Sequence, residues 1–130
     1  MSKLTAKQIE EKLDHCIGSA IFYKWSIVAP KHVLTEGAKM VADLCDAHWL
    51  MDIIASYHSK CMEDEMLRYF QVWTLTVKDG TGVVTCERDT DDIAFKQKIL
   101  YTDFPLDKIK LYCSPSGDGE HMTILLPNEY

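Results

Sequence analysis

The stretch Ala47 to Tyr57, AHWLMDIIASY, constrains the fold more than any other part of the chain. At roughly 100° per residue, a helix here gathers Trp49, Leu50, Ile53, Ile54 and Tyr57 on one broad arc. His48, Asp52 and Ser56 fall towards the other side. A short helix this rich in large apolar groups needs a surface to pack on. The downstream run Arg68 to Lys78, RYFQVWTLTVK, supplies one. It alternates with period two, with Tyr69, Trp73, Leu75 and Val77 on one face and Phe70 and Val72 on the other. Apolar groups on both faces predict a central strand.

Upstream, Thr5 followed by Gln8 forms a capping-box start, and Ile9, Leu13, Cys16 and Ile17 continue at helical spacing to Gly18. Ile21, Tyr23, Trp25 and Ile27 alternate as a strand that ends at Pro30. Val33 and Leu34 suit a short strand, and Thr35 then caps a helix from Glu36 to about Cys45. The apolar residues of that helix, Met40, Val41 and Leu44, centre about half a turn from the arc of Trp49, Ile53 and Ile54. One straight helix would expose one of the two sets. A break near Cys45–Asp46 is therefore expected, with Asp46 capping the second piece. Ser59 to Glu65 is a polar loop or a fraying helix end.

After the central strand, Asp79-Gly80-Thr81-Gly82 is a hairpin turn and Val83 to Arg88 returns. Asp89 to Asp92 turns again. Ile93, Phe95, Ile99 and Tyr101 suggest a third strand with an irregularity at Gln97. Thr102 to Pro105 is a corner, in which Asp103 suits an Asx-turn cap. Ile109 to Cys113 and Met122 to Leu126 are two more strands around a Ser114–Glu120 loop. Helices first and antiparallel strands after define an α+β class: one domain, residues 1–130, with two or three helices on a four- to five-stranded, mainly antiparallel sheet. Trp49 and Trp73 are both expected in its core.

Charge and cysteine content narrow the function classes. The net charge of −6 argues against a nonspecific phosphate-tracking surface, so no direct nucleic-acid partner is expected. Five cysteines form no CxxC pair, and the polar start MSKLTAKQIEEKL is unlike a secretory signal. Free thiols in a reducing cytoplasm follow. No apolar run approaches the ~20 residues of a membrane span.

The sharpest candidate for chemistry is Cys45, His48 and Asp52, whose spacings suit one helical face, with His58 or Cys61 as a further ligand for zinc. The expected helix break falls inside this trio and no second ligand pair accompanies it, so neither metal nor cofactor is expected. No GxSxG elbow or cysteine-protease signature is present, and no catalytic residue is assigned. Asp89 to Asp92 lacks the glycine and distant glutamate of a calcium loop. Tyr69, Phe70 and Trp73 could stack on bases, but only Arg68 and Lys78 flank them, which favours core packing.

Several blocks together resemble an uncharacterised bacterial family of small proteins. They are Gly18-Ser19 with Phe22-Tyr23, Leu34 to Lys39 (LTEGAK), Ala47 to Ala55 (AHWLMDIIA), Phe70 to Trp73 (FQVW), Tyr101 to Leu106 (YTDFPL) and Leu125 to Tyr130 (LLPNEY). The chain departs at His48, where family members usually have Tyr. The resemblance carries no catalytic residue. It implies a bacterial cytoplasmic protein often encoded on phages, plasmids or other mobile elements.

The leading expectation is a non-enzymatic protein-binding module, in the form of a phage- or plasmid-borne inhibitor of a host defence complex, anti-CRISPR-like inhibition included. Its partner would be a host protein with a basic surface, met by Glu63, Asp64, Glu65, Asp89, Asp91 and Asp92, and no membrane would be involved. The alternative is a small enzyme or ligand-binding domain that uses Asp52, Asp103 or a cysteine.

Overall fold

A computed structural model describes residues 5–14, 22–24, 32–89, 91–116 and 121–130. Its first helix, α1 (Ala6–Asp14), begins with the expected reciprocal cap: the Gln8 amide donates to Thr5 Oγ1 at 3.2 Å and the Thr5 amide to Gln8 Oε1 at 2.9 Å. Ile9 and Leu13 are buried. The expected continuation through Cys16 to Gly18 lies outside the described residues, as does most of the Ile21–Ile27 strand. Its centre is β1 (Phe22–Lys24), which pairs antiparallel with β2 (His32–Thr35).

Thr35 then caps α2 (Glu36–Leu44), accepting from the Ala38 amide at 3.2 Å. The break falls where the apolar phases require it. Asp46 takes a left-handed conformation (φ 53°), and the Ala47 amide reaches back to the Ala42 carbonyl at 2.9 Å, a Schellman closure. Asp is one of the few residues besides Gly that tolerates this backbone region. Asp46 therefore ends α2 instead of capping the next helix. Ala47 stands at the N-cap of α3 (His48–Ser56) without a side-chain bond, and α4 (His58–Met62) follows within the stretch expected to be loop or fraying helix.

The sheet has seven strands among the described residues, more than the four or five expected, and contributes with four α-helices to an α+β fold. The later strands are β3 (Gln71–Lys78), β4 (Thr81–Asp89), β5 (Asp92–Ile99), β6 (Lys108–Pro115) and β7 (Met122–Leu125), in the order β1-β2-β7-β6-β3-β4-β5. All neighbours are antiparallel except β2 and β7. The strand at Arg68–Lys78 is central, as expected, but starts at Gln71. The β3–β4 turn is tighter than the four residues expected: Asp79 (φ 52°) and Gly80 (φ 77°) alone make it, as a two-residue hairpin with both dihedrals positive requires. Gln97 pairs regularly with Val84. The irregularity lies instead at Cys86–Asp89, where Ala94 and Arg88 are left without opposite partners. Tyr101 falls beyond β5 and is exposed.

The inner face of the sheet carries Trp73, Leu75, Val84, Cys86, Leu111, Cys113 and Ile124, which share one core cluster with Ala38, Val41, Leu50, Met51 and Ile54 of the helices. Tyr57, just past α3, fastens the layers: its ring lies 5.6 Å from Trp73 and 4.8 Å from Phe95, and its hydroxyl bonds Gln97 Oε1 at 3.2 Å. Buried Gln71 is satisfied by donating to the Leu67 carbonyl and accepting from Trp73 Nε1. Trp73 is 2% exposed, whereas Trp49 is only half-buried at the core edge, so the expectation of two core tryptophans holds for one.

The C-terminal segment closes onto α2. Glu129 Oε2 accepts from the Gly37 amide at 3.1 Å, while Oε1 takes the Thr35 hydroxyl at 2.6 Å and the Leu126 amide at 2.9 Å. A carboxylate here satisfies helix-start amides and faces the positive end of the helix. A Cβ on Gly37 would collide with Glu129 and with Leu126 Cδ1. Gly37→Ala is therefore expected to dislodge the segment, read as faster amide exchange at Leu126 and Glu129. Unchanged exchange and melting would show that the contact yields without cost.

Candidate interaction surface

The two acidic runs singled out in sequence, Glu63-Asp64-Glu65 and Asp89 to Asp92, meet in the structure. Arg88 joins them: its Nε donates to Asp64 Oδ2 at 2.6 Å and its Nη1 to Asp92 Oδ1 at 3.1 Å. The bulge explains how, since the register shift around Arg88 releases it from strict alternation along β4. Asp64 also accepts from the Met66 and Leu67 amides, so it caps the turn that leads into β3. Arg88, helped by the Leu67 and Met66 amides, holds the Asp64 carboxyl down at about 2, and Asp64 in turn raises Arg88.

Glu63, Glu65, Asp89, Asp91 and Asp92 are exposed around this linkage. Beside it a groove of about 330 Å³ runs between Arg88, Glu87 and Asp89 on one side and Phe70, Val72, Tyr112 and Lys110 on the other. Phe70, Tyr112 and Tyr130 form an edge-to-face triad with centroids 4.9 to 5.7 Å apart. Sequence reasoning missed Arg88 and this triad. The one available signal for Arg88 was a lone cation between Glu87 and Asp89.

A group held depressed stabilises the fold above its unfolded pKa of about 3.9 and loses that contribution as pH falls through its folded value. Asp64 should thus contribute fully above pH ~4 and lose its contribution towards pH ~2. Asp64→Asn is expected to lower the melting temperature at pH 7 and to remove this part of the acid dependence. Identical acid profiles for variant and wild type would contradict it.

The proposed zinc trio is not brought together. Cys45 is buried, and burial pushes its thiol up to about 11. His48 is exposed and bonded through Nε2 to Asp43 at 3.0 Å, and Asp52 is exposed on α3. Among the described residues no group of three His, Cys, Asp or Glu side chains is placed to hold a metal. Cys61 of α4, Cys86 of β4 and Cys113 of β6 are fully buried. The bond with Cys61 and then burial raise Cys86, burial raises Cys113, and the bond with Cys86 lowers Cys61. Cys45, Cys86 and Cys113, held protonated, are poor nucleophiles and poor ligands, and Cys61 is closed off from solvent. At the corner Thr102 supplies a cap: the Phe104 amide donates to Thr102 Oγ1 at 3.1 Å and the Thr102 amide to the Gly80 carbonyl at 2.7 Å. Asp103 itself is exposed.

The geometry thus defines an α+β protein with helices on one sheet face and its polar clusters on the surface. A family model described as "Family of unknown function (DUF6876)" matches residues 7–130, and the chain belongs to that family. No curated protein and no solved structure matches it. Among the described residues, no helix is long and apolar enough to cross a membrane.

Proposed function

We propose that the protein is a non-enzymatic binding module that engages a basic protein surface through the acidic rim around Arg88. The observation that carries the reading is the Asp64–Arg88–Asp92 linkage, which turns two distant carboxylate runs into one fixed surface. Asp64 and Asp92 share one guanidinium, and Glu63, Glu65, Asp89 and Asp91 are exposed beside them. Such a rim speeds encounter with a Lys/Arg-rich partner and is screened beyond a Debye length of about 8 Å at physiological salt. The resemblance to proteins of mobile elements extends the proposal: the partner belongs to a host defence complex, which the protein inhibits by occupying a surface, in the manner of an anti-CRISPR. The buried thiols and the separated Asp52 and Asp103 give the alternative of a small enzyme no comparable support.

Paired affinity capture from a bacterial lysate tests this, with the wild type and Glu63→Lys/Glu65→Lys/Asp91→Lys as baits. The expected result is a stoichiometric partner that the wild type retains and the variant loses at low salt. A partner retained equally by both would remove the rim from the account.

A further inference from the structure

The outer face of the sheet carries a pattern that the acidic rim does not use. Directly paired residues share a face, so the register can be read across four strands. One row runs Lys108 (β6), Thr76 (β3), Val83 (β4), Lys98 (β5), and the next runs Lys110, Thr74, Thr85, Lys96. Lys78 lies beside Thr81 at the hairpin end of the same face. A third row, Tyr112, Val72, Glu87, Ile93, closes the other end. Rows on one face are about 7 Å apart and strands about 4.8 Å.

All five lysines are exposed, and among the described residues none makes an ion pair. They hold five of the 14 lysines and arginines of a chain whose net charge is −6, and Glu87 is the one carboxylate in the three rows. The floor between the lysine columns is Thr74, Thr76, Thr85 and Val83. Thr74, at its centre, is 7% exposed and its Oγ1 has no hydrogen-bond partner. Lys110 and Tyr112 border the groove of about 330 Å³ that runs past Phe70, Arg88, Glu87 and Asp89. Tyr130, 75% exposed, completes the aromatic end.

We propose that this lysine- and threonine-lined outer sheet face, with the Phe70–Tyr112–Tyr130 triad at its end, binds single-stranded nucleic acid. Phosphates meet the lysine columns and the hydroxyls of Thr76 and Thr85, and unstacked bases lie on the aromatic rings, which is how sequence-tolerant single-strand sites are built. A membrane-docking face would place Leu, Phe or Trp among its lysines for insertion, whereas three threonines and one valine stand there. The expectation of no nucleic-acid partner rested on net charge. Local charge is what a phosphate meets, and the two lysine rows contain no carboxylate of their own.

Fluorescence anisotropy with a labelled oligo(dT) of about 12 nucleotides tests the proposal. Engagement of about four phosphates predicts a log–log salt slope near −2.8, or roughly 50-fold weaker binding from about 50 to about 200 mM salt. Lys108→Gln/Lys110→Gln should weaken binding and make the slope shallower by about 1.4. Tyr112→Ala should weaken it about tenfold at unchanged slope. Lys7→Gln/Lys60→Gln, equal in charge but on α1 and α4, should bind as the wild type does. The lysine pair is exposed, so its effect is readable even if Tyr112→Ala melts early. Any of four results overturns the proposal: no binding at low salt, equal affinity for a duplex of the same length, equal loss in the α1/α4 control, or displacement of the oligonucleotide by phosphatidylserine vesicles or polyglutamate at equal charge.

Discussion

Trp73→Ala is expected to cost about 3–5 kcal/mol, the range for removing a fully buried tryptophan from a packed core. The side chain is 2% exposed, its ring meets Tyr57, and its Nε1 satisfies buried Gln71. Truncation opens a cavity between helices and sheet and leaves the Gln71 carbonyl oxygen without its donor. The midpoint of thermal unfolding should fall by on the order of 10 °C. Trp49→Ala, at a half-buried site, should cost about 1–2 kcal/mol. The contrast is the informative part. Equal losses at the two positions would mean that Trp49 is a core residue after all. A negligible loss at Trp73 would contradict the packing described above.

The second large effect concerns acid. His32 is buried beside His58, with ring centroids 5.1 Å apart, and its Nε2 has no hydrogen-bond partner. Burial, then the charge of His58, lowers its pKa from 6.5 to about 4. The unfolded chain therefore binds a proton between pH 6.5 and about 4 that the folded chain refuses, and stability falls as pH drops through that window. At 1.36 kcal/mol per unit the full loss is about 3 kcal/mol, reached near pH 4 and absent above pH 6.5. His32→Leu should flatten this part of the pH profile. A His32 ring that titrates near 6.5 in the folded protein, followed by NMR, would refute it.

Local signals in the sequence carried well. The opposed apolar phases of Val41 and Trp49 required a break, and the structure supplies one at Asp46. The caps at Thr5 and Thr35 and the Asp79-Gly80 hairpin are short-range chemistry, so they were legible. What was not legible depends on partners far away in sequence. Glu129 reaches Gly37 across 92 residues, and the parallel β2–β7 pair brings the same two blocks together. No periodicity announces such a contact, although LTEGAK and LLPNEY both stood out as blocks. The acidic runs were found, but their convergence depended on a bulge that re-aims Arg88. The lysine rows are invisible until register is known, because each strand contributes only one or two lysines to them.

The central claim is that this protein acts by occupying a partner surface and not by turning over a substrate. The direct measurement is a titration of the captured partner's activity against the molar ratio of added protein. The account predicts a loss of activity that is linear in that ratio and levels off near one-to-one, with the partner recovered chemically unchanged on dissociation at high salt. Complete loss at a small fraction of equivalence, with a modified partner left behind, would contradict it.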